Sequence, residues 1–533
     1  MKSGRNLSKK GAYEMSKPNH VAILGAGFGG LMAGAVLAAQ GVRVTVFDRA
    51  TTVGGNAGWY VRRGRMIPTG ATIAFGMERG GVLRGLLDEA GVEVESRRLK
   101  WPMNVVLSDR VVRLVQDRAA WERELRKVFP ERAEAVVGFW RELEQLAEAV
   151  QTVTEARLVL PVRRWTDAWA LGQFAVRKPG VVARMARRGL WTVERLMRAH
   201  GLADYGPLRE LLNAQLVDAA QTDVRDAALL PASLALDIYR RGSFAFAEGG
   251  LGALARALAQ RIEAAGGEVL VATTVAEPSY DAQLRQWRIP TSRDAQGQLY
   301  DAVVDNTGVR RGEPAVAPNG AGQAAAAAEP GWGAFRLDIT LADTVLDQFI
   351  GVPEVPQLPF AFQVLPDAAT AQLLGDEHGP VYATFHEALD GAGQPIAGEV
   401  LLTVSVHTEA AGWDTLDREA YKARKAQMQD AMLDTLRARV CPTLDAHIRT
   451  IDAGTPRTYK KYVNKLQVGG APLTVRNALL RPKSLYSNKK NYYYAGENVF
   501  PGPGTLSSAL SGYFAARALL RDFGLTPKGG RQS

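Results

Sequence analysis

Between Val21 and Val42 the chain carries no charged residue, and glycines interrupt the run at Gly25, Gly27, Gly29, Gly30, Gly34 and Gly41. An apolar stretch of this length is long enough on paper to cross a bilayer, but glycines so spaced fit a strand, a tight turn and a buried helix better. Residues 20–24 form a short apolar run, 29–40 are rich in Ala and Leu, and 42–47 are largely β-branched, so a strand–helix–strand unit is predicted. Gly25, Gly27 and Gly30 satisfy G-x-G-x-x-G within it. In that pattern the first glycine permits the turn, the second lets the backbone approach a pyrophosphate, and the third allows close helix–strand packing. The phosphate then meets free N–H groups at a helix N-terminus. Asp48 ends the second strand, where an acidic side chain accepts hydrogen bonds from an adenosine ribose. This context favours dinucleotide binding over a purely structural glycine turn.

Helical periodicity dominates residues 121–216, and a helix over 251–265 ends at Gly266-Gly267 before strands at 268–272 and 302–306. Residues 312–330, rich in Gly, Pro and Ala, read as a loop or linker. Strand-like runs at 334–341, 381–386 and 400–406 suggest a second, antiparallel sheet, and a strand at 491–495 and a helix over 505–520 follow. The expected class is α/β: a Rossmann-like cofactor domain, a mixed α+β substrate domain and a helical membrane-facing part. Its expected organisation is a flexible basic tail (1–19), three cofactor-domain segments (20–110, 246–311 and 456–525), a helical part (111–245), a substrate domain (312–455) and a C-terminal tail (526–533). Residues 1–19 lack the apolar core of a secretory signal.

The single cysteine, Cys441, excludes an internal disulfide and a cysteine-rich zinc site. The six histidines are scattered without an H-E-x-x-H pair, so no metal site is expected. Net charge is +10, and residues 157–200 hold most of it, ten lysines and arginines against Asp167 and Glu194. Trp165, Trp169, Phe174 and Trp191 lie among them. Such interleaving suits a segment lying on an anionic membrane surface, with a solvated basic helical face as the alternative. No nucleic-acid motif accompanies the charge, so a nucleic-acid partner is not expected.

Further motifs are Val53-Gly54-Gly55-Asn56, Thr69-Gly70-Ala71-Thr72, Gly249-Gly250-Leu251-Gly252, Asp305-Asn306-Thr307, Thr455-Pro456-Arg457-Thr458-Tyr459, Ala495-Gly496-Glu497-Asn498 and Pro503-Gly504-Thr505. With these in order, the chain resembles the FAD-dependent phytoene desaturase and amine oxidase superfamily, nearest its carotenoid desaturase and isomerase branch. The resemblance implies FAD as cofactor, with Gly25, Gly27 and Gly30 at the pyrophosphate and Asp48 at the adenosine ribose. It places Gly54, Gly55 and Asn56 by the phosphates, and Gly70, Ala71 and Thr72 near the isoalloxazine. Val275 would meet adenine, Gly496 and Glu497 the ribityl or phosphate groups, and the helix starting at Gly504, Thr505 and Leu506 the flavin pyrimidine. Asn56, Pro68 and Glu497 depart from the arginine, aspartate and aspartate usual at those places. No second G-x-G-x-x-G suggests an NADPH site, so a diffusible electron acceptor such as a quinone or oxygen is implied.

The activity implied is carotenoid desaturation in carotenoid biosynthesis: a hydride leaves an allylic C–H of a long polyene, as in 3,4-desaturation of a late intermediate. Isomerisation, phytoene desaturation and ketolation occur in the same family. A soluble flavin amine oxidase and a non-catalytic prenyl-binding escort are the alternatives outside it. The expected location is cytoplasmic, peripheral to the membrane. No catalytic residue stands out from the sequence. Trp101, Trp121, Phe129, Trp140, Trp332 and Phe335 are read as core, with a substrate tunnel as the alternative.

Overall fold

A computed structural model describes residues 18–246, 249–308, 332–351, 358–374, 379–463 and 465–525. The stretch 312–330 and nearly all of both anticipated tails lie outside them.

Five short apolar strands form one parallel sheet in the order Glu268–Leu270, Arg43–Phe47, His20–Leu24, Ala302–Asp305, Tyr492–Tyr494. Three of its strands come from segments far apart in the chain. A sheet covered on both faces needs near-continuous hydrophobic strands, and the strands 20–24, 302–305 and 492–494 are almost wholly buried. The helices Phe28–Ala39, Leu251–Ala264 and Thr505–Asp522 share the core on one face. Phe28–Ala39 is apolar all round because it lies between the sheet and its neighbouring helices, with every residue but its last buried.

A small antiparallel sheet of Ser279–Asp281, Gln286–Ile289 and Gln298–Tyr300 covers the other face, packing Trp287 and Tyr300 against Ala22, Leu24 and Val303. The sequence did not announce this element. Its strands are three or four residues long, and the turn between the first two places Arg285, not glycine, at positive φ. The usual glycine signal of a hairpin is therefore missing.

The second sheet is larger than expected and mixed. It runs Ile448–Gly454, Trp332–Ala342, Pro395–Glu409, Val381–Asp390, Phe360–Val364, Met103–Val106, Val111–Arg113, with the hairpin Trp59–Arg62/Arg65–Pro68 attached to Val381–Asp390. Phe360–Val364 and Met103–Val106 pair in parallel, so part of the stretch read as the first cofactor segment joins this sheet. The helix Arg418–Arg439 backs it.

Helices from Arg118–Val128 to Leu229–Arg241 form the third region. Trp121, Phe129 and Trp140 are buried in its core, and Phe335 in that of the large sheet. None of the six aromatics weighed as tunnel residues lines the main cavity. They are structural, as the core reading had it, and the tunnel alternative falls. Among the described residues no helix is long and apolar enough to cross a membrane.

Candidate functional site

The glycine turn is built by two constraints that only glycine meets. Gly25 has φ of +98°, and its N–H donates to the Phe47 carbonyl at 2.7 Å, closing the turn onto the next strand. A Cβ on Gly30 would stand 2.1 Å from the Gly25 carbonyl oxygen. Gly30 thus works beneath the turn, where it lets helix and strand touch, and does not line the cavity. Gly27 differs. A Cβ there would meet Asn306 Nδ2 alone, at 3.0 Å, because its other side faces open space.

Every other anticipated cofactor residue lines that space, a single cavity of about 760 Å³. Gly27 and Gly54 bridge as parallel strands, and the Gly54 N–H donates to the Ala26 carbonyl. The Ala71 N–H donates to the Asn56 carbonyl, and Thr69 Oγ1 to the Gly55 carbonyl at 2.8 Å, which ties the two following loops together. Val275 and its neighbours Thr273 and Thr274 reach the same cavity. The Asp48 carboxylate accepts N–H bonds from Ala26 at 2.7 Å and Ala50 at 2.8 Å. Burial raises its pKa despite those bonds.

The C-terminal motif arrives from the opposite side. Gly496 donates its N–H to Ser511 Oγ at 2.7 Å, and a Cβ on Gly512 would lie 1.9 Å from the Gly29 carbonyl oxygen. The helices Phe28–Ala39 and Thr505–Asp522 therefore touch backbone to backbone at a glycine pair. Asn306 fills the corner between them. Its Nδ2 donates to the Gly25 carbonyl at 3.3 Å, and its Oδ1 lies where a Cβ on Gly29 or Gly496 would intrude. The start of the Thr505–Asp522 helix opens into the cavity, and a Cβ on Gly504 would meet nothing within 4 Å.

One cation here has no forerunner in the motifs. Lys465 Nζ donates to Glu497 Oε1 at 2.9 Å. It lines the cavity and its charge is felt at Asp48. The sequence puts Asn56 where an arginine is usual, and Lys465 supplies a positive charge to this cradle from a remote segment. Glycine backbones facing open space, two helix N-termini aimed into one cavity, and a lysine between two carboxylates fit the pyrophosphate and flavin ring of FAD. FAD is the cofactor this cradle matches.

Beyond the cradle the same cavity continues into a lobe lined by Phe75, Val153, Leu160, Met185, Leu234 and Ile238. Its opposite wall is the large sheet, which presents Arg336, Tyr382, Thr384, Thr403, Ser405 and His407. Arg336 is neutralised locally. Its Nε donates to Asp338 Oδ1 at 2.7 Å, its Nη2 to the Pro68 carbonyl, and Tyr60 Oη also donates to Asp338. Beside them His386 shares a hydrogen bond with Thr403 Oγ1 at 3.0 Å, and burial pushes its pKa down to about 3, so it stays neutral.

One acid on the lobe was not anticipated. Asp218, near the end of the Gly206–Ala220 helix, lines the cavity and has no hydrogen-bond or ion-pair partner for its carboxylate among the described residues. No sequence signal marks it, because it differs from other helical acids only in what surrounds it. Among the described residues no cluster of His, Cys, Asp or Glu gathers as a metal site.

Residues 23–90 match the model of an NAD(P)-binding Rossmann-like domain. The prolycopene isomerase of Arabidopsis thaliana is 24% identical over 531 residues, spanning 95% of this chain and 83% of that one. A 4,4'-diapophytoene desaturase of a Methylomonas species is 31% identical over 125 residues, 22% of this chain and 23% of its own. Among solved structures, cyclohexylamine oxidase from Brevibacterium oxydans superposes with a TM-score of 0.56 at 14% identity, covering 95% of this chain and all of that one, which shows the shared fold. Over nearly its whole length the chain is similar to prolycopene isomerases, and over a shorter stretch to a diapophytoene desaturase, the likeness its paired end motifs anticipated.

Proposed function

We propose that the chain is an FAD-dependent enzyme that modifies a carotenoid polyene. The observation that carries this reading is the continuity of the dinucleotide cradle with the apolar lobe in one cavity. When bound, FAD supplies an acceptor for a hydride from an allylic C–H, its oxidised form being restored by a diffusible acceptor such as a quinone or oxygen. The chain's part is to hold the polyene beside the cradle and to keep water from it with the aliphatic wall. Desaturation is the reading the sequence favours. The prolycopene isomerases that match over nearly the whole chain support cis–trans isomerisation as the second.

A polyene dissolved in lipid gains little from entering an apolar cavity, since acyl chains already surround it with apolar contacts. Docking and shape then govern capture, and the basic stretch suits the task. Leu160 and Met185 line the cavity, while Trp165, Trp169, Val176 and Leu190 from the same stretch stand 74%, 59%, 82% and 62% exposed. Arg164 and Arg188 are engaged with Asp522 and Glu142. Arg163, Arg177, Lys178 and Arg187 have no carboxylate partner among the described residues and are exposed. We take this face as the contact with an anionic membrane on the cytoplasmic side, with the cavity opening beside it.

The test is expression in cells that accumulate lycopene, its cis isomers or its hydrated derivatives, followed by pigment analysis. Loss of two hydrogens with longer-wavelength absorption marks desaturation, and altered retention at constant mass marks isomerisation. Conversion of an amine with peroxide release, and of no carotenoid, would overturn the proposal.

A further inference from the structure

The Asp218 carboxyl occupies an unusual position. Its helix delivers it to the cavity wall, where its free surface faces the space beyond the cradle. The titratable groups that face it are Tyr239 of the Leu229–Arg241 helix and Tyr382 of the Val381–Asp390 strand, each of which feels its charge. Tyr382 Oη donates to the Ala214 carbonyl at 3.3 Å, one turn earlier on the helix that carries Asp218. Gln221 Nε2 donates to the Asp218 backbone carbonyl at 2.7 Å and leaves the carboxyl free. Of the cations lining the cavity, Arg336 and Lys465 have carboxylates of their own in Asp338 and Glu497, and Arg49, next to Asp48 in the chain, donates to the Lys461 carbonyl. The Asp218 side chain is exposed to this cavity, and a polyene filling the lobe would cover a carboxylate that has no cation, donor or metal beside it, which is costly. A fold retains such a group where its chemistry is used.

Resting on the polyene reading above, we propose that Asp218 is the catalytic carboxyl of this cavity, exchanging a proton with a carbon of the bound polyene. As the acid, it gives its proton to an sp² carbon. The π pair becomes the new C–H bond, and the positive charge left behind spreads along the conjugated chain. That cation has lowered double-bond order and can rotate. Return of the same proton to the carboxylate restores the double bond, with no net change in electrons. In the desaturation reading the same carboxylate would take the proton from the carbon next to a polyenyl cation, with FAD in the cradle as the oxidant that would accept the hydride. Both directions need a carboxyl that holds and releases its proton near neutrality. Burial moves Asp218 there, raising its pKa to about 6. A carboxylate within reach of a polyenyl cation also stabilises it in an apolar surround.

The experiment compares the full-length wild type with Asp218→Asn and Asp218→Glu, each loaded with FAD, on carotenoid-bearing vesicles across pH 4.5–8.5. FAD uptake is expected to be equal in all three. The wild-type rate should show a limb with an apparent pKa near 6. Asp218→Asn should lose that limb and at least a hundredfold in rate, and Asp218→Glu should recover part of both. An active Asp218→Asn variant with the wild-type pH profile would overturn the proposal while leaving the polyene reading intact. A wild type inert towards every polyene but active on an amine would overturn both, and would recast Asp218 as the partner of the substrate ammonium.

A second measurement needs no activity. A raised carboxyl pKa means that the folded state holds the proton more tightly than the unfolded state, so ionisation costs stability as pH rises. Asp218→Asn should therefore melt higher than wild type at pH 7.5, the gain shrinking through pH 6 and vanishing near pH 4. A gain that does not change with pH would show that Asp218 does not titrate in this window, and would refute the inference.

Discussion

Gly27 separates binding from folding in a way that its neighbours do not. In Gly27→Ala the new methyl points into the cradle, and its one near contact is the end of a side chain, Asn306 Nδ2 at 3.0 Å. Gly27 has φ of −74°, which alanine adopts freely. A few tenths of an ångström of movement by Asn306 absorbs the contact, and alanine's smaller unfolded-state entropy offsets the cost by about 0.4–1 kcal/mol. The apo protein should therefore melt within about 3 °C of wild type. Cofactor affinity should respond differently, because the backbone there loses its close approach to the pyrophosphate. One charge-assisted N–H bond to phosphate contributes about 1.5–3 kcal/mol, and 1.4 kcal/mol is about tenfold in affinity. Gly27→Ala should weaken FAD binding by about 10- to 100-fold, and Gly27→Val should abolish it. Gly512→Ala is the contrast. Its Cβ would fall 1.9 Å from the Gly29 carbonyl oxygen, and two packed helices must separate by more than 1 Å to admit it. That should cost roughly 3 kcal/mol or more of apo stability. The assays are flavin fluorescence titration of apo protein and scanning calorimetry without FAD. Wild-type affinity in Gly27→Ala, or its unfolding alongside Gly512→Ala, would refute the reasoning.

Lys465→Met should weaken FAD more than it weakens riboflavin, which carries no phosphate, and should flatten the salt dependence of FAD binding; equal losses for the two ligands would show that the lysine serves Glu497 alone. Replacing Arg177, Lys178 and Arg187 with glutamine should weaken binding to anionic vesicles, read by sedimentation, on the order of a hundredfold, from about 1 kcal/mol per charge lost near the surface. Neutral vesicles should discriminate far less, and wild-type release at high salt should follow the shortened screening length of about 3 Å at 1 M. Indifference of the wild type to anionic vesicles would leave the stretch a solvated face.

What the sequence disclosed and what it hid divide along the reach of the forces involved. Gly25, Gly54 and Gly496 were legible because a positive φ or a backbone contact is a local demand that one residue type meets. The Rossmann unit was legible because alternating apolar runs have few other uses. Lys465 was not, since its meaning depends on Glu497 across the cavity and on the charge absent at Asn56. Pro68 read as a departure, and its carbonyl turned out to receive Arg336. Asp218 is the extreme case. Nothing within its own helix distinguishes it, and its pKa is raised by desolvation, with Tyr239 and Tyr382 from other elements facing it. The same logic applies to the 279–300 sheet, whose turn hides behind Arg285.

The parallel sheet sets a timetable for biosynthesis. Its strand Ala302–Asp305 lies next to Tyr492–Tyr494, nearly two hundred residues further along. At about 5–20 residues per second, a ribosome needs roughly 10–40 s to deliver the missing neighbour. Throughout that interval Ala302–Asp305 stands as an edge of unpaired amides, the kind of template on which chains pair wrongly. The glycine seam between residues 29 and 512 is likewise unformed, so the cradle lacks a wall and has little affinity for flavin. Cofactor loading then becomes a terminal event in the life of a newly made molecule, and cells short of flavin should lose this protein to aggregation and proteolysis before they lose its catalysis.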